Sequence, residues 1–578
     1  MKIGPQCWTC LGGRVRCDGL APSCLTCKRR GVACAGYGQE PRGGGIREHY
    51  HASGRSDASQ YTEEEDSRSR SSRASSGATD TDLSEFTSDM ILEPTAAKSP
   101  IFSQPVPALY RRAQMIFEGL DYFNKMICPD LVSLESHFNP YKVNIGTVDR
   151  IPDIYVKVLV SVASFHRLMS YGPDPTPSSA LVQRDADVFA LRVEALRGLN
   201  EKLSLPDEQT SDATLLCVLS LMVASIQASA YTEWRAHLEG ARRIIQMRGG
   251  LKKIISVNPY FKPVLTFFML IDVIGSTTTP SGHGDMSKAC NMAMQYYDIE
   301  PGVLQYVATT CIPVPDVLFR VITLVNYLRT IAGKPSLCAK RRSGTRMAIQ
   351  KVVDFSPADY AAVMRDFDGW STSGKEVSFG GGGGEARTAA GEQHPRQGDT
   401  SSTTDSPPPR PTADLWLGLG IMYRAATLLY ALRTLVVDSE DPPAQLLPEI
   451  MSSSDARRDD VSAAGVLVDS LRHTTFSALH AALVPVFADP VSMHQVGKLI
   501  MWPLFLLGME TDHRDAGRRR FVAEGFSSLS LALGTLGPVG VVNALVVKWR
   551  MDAVREGGGL PRARWDDYFQ GREDFIVF

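Results

Sequence analysis

A chain of 578 residues exceeds what a single core holds, since cores stop growing near ~250–300 residues, so more than one folding unit is expected. With 44% hydrophobic and 21% charged residues and a formal net charge of -2, the composition is that of an ordinary soluble protein. The opening MKIGPQCWTC lacks the apolar stretch of a signal peptide, and apolar runs such as 264–274 are too short to span a bilayer. The eleven cysteines, an odd number in a chain expected to be intracellular, argue against a disulfide framework.

The near-neutral total hides a basic head. Up to Tyr37 the charged residues are Lys2, Arg14, Arg16, Lys28, Arg29 and Arg30 against the single acid Asp18, a balance that suits a polyanion partner because Lys and Arg displace counterions from phosphate. Six cysteines fall in the same stretch, Cys7, Cys10, Cys17, Cys24, Cys27 and Cys34, and the spacing is C-x2-C-x6-C-x6-C-x2-C-x6-C. Thiolates are soft ligands that suit tetrahedral zinc, and a Cys-x-x-Cys pair at a helix start offers two sulfurs to one metal. Two tetrahedral zinc ions need eight ligand positions, which six sulfurs fill only if two of them bridge. Cys7 and Cys24, the equivalent first members of the two halves, are the natural bridging pair.

The stretch CWTCLGGRVRCDGLAPSCLTCKRRGVAC resembles the Zn2Cys6 binuclear cluster of fungal transcription factors, including the Cys17-Asp18 step and Pro22 two residues before Cys24. The resemblance implies zinc ligation by all six cysteines and places the DNA-reading element between the second and third, at residues 11–16, in the major groove. It puts the base-reading basic residue at Arg14 and a usually basic position at Arg16. Lys28, Arg29 and Arg30 are expected to meet phosphates and to serve in nuclear import. The sequence departs from the family at Leu11, Gly12 and Gly13, which are commonly basic in relatives. The two glycines cost a short helix about 1 kcal/mol each, against about 10–16 kcal/mol from zinc binding, so the departure bears on DNA affinity rather than folding.

Residues 38–105 are rich in Gly, Ser, Arg and acids with few large apolar side chains, and read as a disordered linker. No heptad series follows Tyr37, so the module is expected to bind as a monomer or to dimerise elsewhere. From 106 onward the chain reads as helix after helix. Residues 213–227 are apolar nearly all round and predict a central buried helix, and 234–247 predict a second, stopped by Gly249 and Gly250. A second low-complexity stretch at 371–411, with the glycine run 380–384, predicts a disordered loop inside one large helical domain spanning 106–578. Beyond it, Leu415, Leu419, Met422, Ala426, Leu429, Leu432 and Val436 form one apolar stripe, with Asp414 at the N-cap. No period-two run with hairpin turns argues for a sheet. The fold expected is therefore mainly α: a small zinc module at 1–37, the linker, and the large helical domain. Cys128, Cys217, Cys290, Cys311 and Cys338 are expected as small core residues.

EGLDYFNKMICPDLVSLESHFNPY, the helix with SVASFHRLM, EWRAHLEGARRIIQMRGG and MWPLFLLGMETDHRDAGRRRF resemble the fungal-specific transcription factor domain that accompanies such clusters, a class that includes the acriflavine sensitivity control proteins. Its marks are Trp234, His237, Gly240, Trp502, Pro503, Gly508 and Trp549. His166 and His237 read as core histidines and the tryptophans as packing anchors, and no nucleophile, Rossmann or P-loop motif nominates a reaction. The expectation is a nuclear, non-enzymatic regulator that binds double-stranded DNA at CGG-type sites, serving RNA polymerase II genes of one pathway such as a secondary-metabolite or drug-response cluster. The alternative is a zinc-stabilised co-regulator or scaffold with little DNA binding. Two zinc ions are the expected cofactor. A second copy, the transcription machinery and a small-molecule effector stay open as partners, and no membrane is expected.

Overall fold

Residues of the 213–227 run find partners on every side. In the computed structural model they form the helix Asp212–Ala228, where Leu215, Cys217 and Leu221 have no exposed surface. The structure describes residues 27, 28 and 34 and, from 105 on, the chain apart from 134–138, 171–178, 229–233, 283–285, 287–289, 291–292, 299–309, 312, 373–412, 448–460, 572–574 and 578. The chain divides into two units, Met1–Thr95 and Ala96–Phe578. Among the described residues every regular element is helical and none is a strand, so the fold is mainly α.

In chain order the second unit has α1 (Pro105–Tyr122), α2 (Asp153–Ser170), α3 (Ser179–Ser204), α4 (Asp212–Ala228), α5 (Trp234–Met247), α6 (Leu251–Val257), α7 (Lys262–Thr277) and α8 (Asp316–Thr330). There follow α9 (Cys338–Val353), α10 (Pro357–Thr372), α11 (Ala413–Ala431), α12 (Pro443–Leu446), α13 (Val461–Ala488), α14 (Pro490–Val496), α15 (Met501–Glu510), α16 (Ala516–Leu533) and α17 (Gly537–Gly557). In the first half α2 packs on α1, α3 and α4, and α4 on α5. In the second, α11 is the hub, touching α8, α9, α10, α13 and α15. One continuous core runs from Leu120 to Val577.

Local chemistry explains the boundaries. Ser211 accepts the Thr214 N–H at 3.1 Å and caps α4. At the other end of its neighbour, Gly250 N–H donates to Ile245 and Gly249 N–H to Gln246, a Schellman stop that needs the left-handed φ of +85° at Gly249. Along α5, Trp234, Leu238, Ala241 and Ile245 form the buried stripe expected of an amphipathic helix. Arg242 is buried on that same face and ion-pairs with Asp272 of α7, which has no exposed surface and also accepts the Tyr296 hydroxyl at 2.5 Å. Burial opposes the Arg242 charge, but Asp272 overrides it and raises the pKa further.

Four expectations need correction. The stripe on 415–436 is only part of what α11 buries: Tyr423, Tyr430 and Arg433 are interior as well, because the hub has neighbours all round, and residues from Leu432 to Val437 continue it as a π-helical turn. This helix already contains Ala413 and Asp414, so Asp414 lies inside it rather than at its N-cap. Cys128, Cys217, Cys290 and Cys311 are buried, whereas Cys338 is only half-buried, at the exposed start of α9. Lastly, the 264–274 run belongs to a longer helical segment, Pro259–Thr277, which together with Leu415–Val437 has the length and apolarity to cross a bilayer. Their windows are 78% and 72% buried inside the protein, which makes both core helices of this fold. The expected linker 38–105 and the loop at 371–411 lie outside the described residues but for Pro105 at the start of α1 and Ser371 and Thr372 at the end of α10, which are helical.

The tryptophans anticipated as anchors are such. Trp234, Trp502 and Trp549 are buried, and Trp549 Nε1 donates to the carbonyl of Gly508 at 3.1 Å. A Cβ on Gly508 would stand 2.6 Å from Leu545 Cδ1, so α15 and α17 approach at a distance only glycine allows. Residues after α17 close the core: Trp565 donates its Nε1 to Thr277 O at 2.7 Å, Thr278 Oγ1 donates to Phe575 O at 2.5 Å, and Asp566 pairs with Arg329 of α8.

Candidate functional site

In the first unit Cys27 occupies a helical turn with its side chain buried, its neighbour Lys28 is exposed, and Cys34 is half-buried. These are two of the six cysteines and one of the basic residues that the sequence singles out. Cys7, Cys10, Cys17, Cys24, Arg14, Arg16, Arg29 and Arg30 lie outside the described residues. A donor set of six thiols, with Asp18 the single carboxylate among them, fits zinc rather than calcium or magnesium.

The second unit holds a cavity of about 120 Å³. Its floor is built from buried side chains of distant segments: Val162 on α2, Ile226 on α4, Ile274 on α7, Trp502 on α15 and Val577. Its polar lining residues include Asp130, His166, Gln227, Lys498 and Thr535. Lys498 Nζ donates to Pro129 O at 2.6 Å and stands 3.6 Å from Asp130 Oδ1, at the turn that follows α1. Nearby His166 is buried on α2 with Nδ1 3.0 Å from the Tyr122 hydroxyl. Burial lowers its pKa, with Asp130 opposing, and the ring is neutral at pH 7. Burial likewise pushes the Cys311 thiol, on the same wall, up to about 12, so it is no nucleophile. His166 is thus the hydrogen-bonded core histidine the sequence suggests, and His237 is half-buried on α5.

Comparison with known proteins bears on both units. Residues 6–43 match the fungal Zn(2)-Cys(6) binuclear cluster domain, and residues 118–330 match the fungal specific transcription factor domain. The chain carries both domains of a fungal zinc-cluster transcription regulator. A relative, the phomenoic acid biosynthesis cluster-specific transcriptional regulator of Leptosphaeria maculans, is 22% identical over 565 residues, covering 94% of this chain and 85% of the relative. No solved structure matches.

The matched domains and the relative are those of transcription control, a non-enzymatic role. The cluster domain implies zinc binding. The transcription factor domain match ends at the C-terminus of α8, so Trp502, Pro503, Gly508 and Trp549 lie beyond it, in a stretch that the relative's alignment spans. Sequence reasoning missed Lys498 and Asp130. A lone lysine ahead of an apolar helix and an aspartate after a Cys-Pro step carry no local sign that a segment 369 residues away brings them together.

Proposed function

We propose that this regulator reads CGG-type sites in double-stranded DNA in the nucleus and controls RNA polymerase II genes of one biosynthetic cluster. The observation that carries the reading is the six-cysteine frame, matched over residues 6–43 to the binuclear cluster domain, with Arg14 and Arg16 set between its second and third cysteines. In this reading Cys7, Cys10, Cys17, Cys24, Cys27 and Cys34 hold two zinc ions, with Cys7 and Cys24 bridging. Zinc, when bound, supplies the cross-link that a segment too short for its own core needs. Arg14 meets a guanine edge, Arg16, Lys28, Arg29 and Arg30 meet phosphates, and the exposed side chain of Lys28 supports that role. The cluster-specific role named for the Leptosphaeria maculans relative supports a pathway-specific regulator over a general one. A homodimer, and contacts to the transcription machinery or a small effector through the helical domain, complete the proposal.

A second reading rests on Leu11, Gly12 and Gly13, which remove basic side chains from the groove-facing stretch and favour a co-regulator with little DNA binding of its own. Selecting bound sequences from a random duplex pool with residues 1–100, zinc-loaded, separates the two. Enrichment of a CGG-containing site supports the first reading; no enrichment supports the second. Native mass spectrometry of residues 1–40 tests the metal stoichiometry, two zinc ions being the expected count.

A further inference from the structure

The cavity beside Lys498 has the properties of a binding site rather than of a packing fault. Apolar side chains from α2, α4, α7, α15 and Val577 line it, its half-exposed polar residues Asp130, Gln227 and Thr535 mark the mouth, and His166 and Lys498 are more deeply set. An apolar void of roughly this size stays dry and takes up a ring of about six heavy atoms.

Charge selects among ligands of that size. Lys498 and Asp130 already compensate one another at 3.6 Å, with the Lys498 side chain 10% exposed and Asp130 34%. A carboxylate would place a second anion beside Asp130, and an amine would compete with Lys498 for it. A neutral oxygen suits the site best. An ammonium has three N–H donors; Lys498 directs one to Pro129 O and faces Asp130, and as a lining residue it can also donate to an oxygen inside the cavity. His166, neutral on the adjacent wall, adds no charge.

We propose that this cavity binds small, uncharged, mainly hydrocarbon molecules bearing one carbonyl oxygen, with the hydrocarbon on the Val162, Ile226 and Trp502 floor and the oxygen accepting from Lys498. The inference rests on the reading that the helical domain takes a small effector, and it names the site and the chemical class. Since the lining joins α2 and α4 of the first half to Trp502 and Val577 of the second, an occupant braces segments far apart in the chain.

The test is a calorimetric titration of the full-length protein with cyclohexanone, without DNA, against cyclohexanecarboxylate and cyclohexylamine. The expected result is one-to-one, saturable binding of the ketone with a raised melting temperature, and at least tenfold weaker binding of both charged analogues. Lys498→Met should weaken ketone binding about tenfold, and Leu533→Trp, which plugs the mouth, should abolish it with the helical circular dichroism unchanged. No ketone binding up to the solubility limit, equal or tighter binding of either charged analogue, or ketone binding unchanged in both variants would overturn the proposal. If a variant unfolds, methyl cross-relaxation from bound ketone in the wild-type protein decides: contacts to Val162 and Val577 support the site, and contacts confined to other methyls refute it. The DNA selection above contains no ketone, so failure of one reading leaves the other standing.

Discussion

Arg14 is the residue on which sequence discrimination should turn. A guanidinium can donate two hydrogen bonds to O6 and N7 of guanine, worth about 1–3 kcal/mol of discrimination. Arg14→Ala is therefore expected to weaken binding to the selected site far more than to scrambled duplex, in anisotropy titrations of the zinc-loaded module. Lys28→Ala should lower both affinities about equally and make the salt dependence shallower by roughly one unit, because a phosphate contact carries no sequence information. Equal losses on both duplexes for Arg14→Ala would remove its base-reading role. In the helical domain the comparable residue is Arg242. With Asp272 wholly buried behind it, Arg242→Met leaves a carboxylate without its countercharge, and a loss of about 3–5 kcal/mol is expected in urea denaturation. A loss below about 1 kcal/mol would mean that Tyr296 satisfies Asp272 unaided.

Helices α4 and α5 were legible because their signals are local: an apolar run, a 3.6-residue stripe and a glycine stop. The burial of α11 on all sides was not, since tertiary neighbours decide it, nor was the pairing of Arg329 with Asp566 across 237 residues. The same holds for the clasp at the end of α15. There Glu510 takes Arg472 of α13 at 2.5 Å and faces Arg562 at 3.7 Å. Burial works to raise its pKa, but Arg562, Arg472 and Arg433 together lower it from 4.5 to about 2. A carboxyl held below its unfolded value contributes stability that is complete above pH ~4.5 and is lost as pH falls through about 2. Glu510→Gln should thus lower stability at pH 7 and flatten its acid dependence between those values; an acid limb parallel to wild type would refute the clasp. On the same helix, Gly508→Ala must push Leu545 of α17 aside, for an expected loss of about 1–3 kcal/mol on thermal melting.

At the scale of the molecule, the mainly helical class was readable from periodicity and the two domain families from the resemblance of their motifs, whereas the cavity was not, because its walls come from segments hundreds of residues apart. Among the described residues, the core that runs from Leu120 to Val577 is built within the second unit. Residues 106–578 should accordingly give a soluble helical protein whose cooperative melt matches that of the same transition in the full chain, with or without a zinc chelator. A mainly β spectrum, or no cooperative melt, would contradict this. The span of that core also has a consequence during synthesis. Helix α7 ends at Thr277, and Trp565, whose indole satisfies the Thr277 carbonyl, lies 288 residues later. At roughly 5–20 residues per second, the ribosome leaves α7 without that cover for roughly 15–60 s. During this interval the C-terminal end of an apolar helix lacks its last cover on the nascent chain, so the yield of active regulator in the cell should depend on holding chaperones and on the speed of translation.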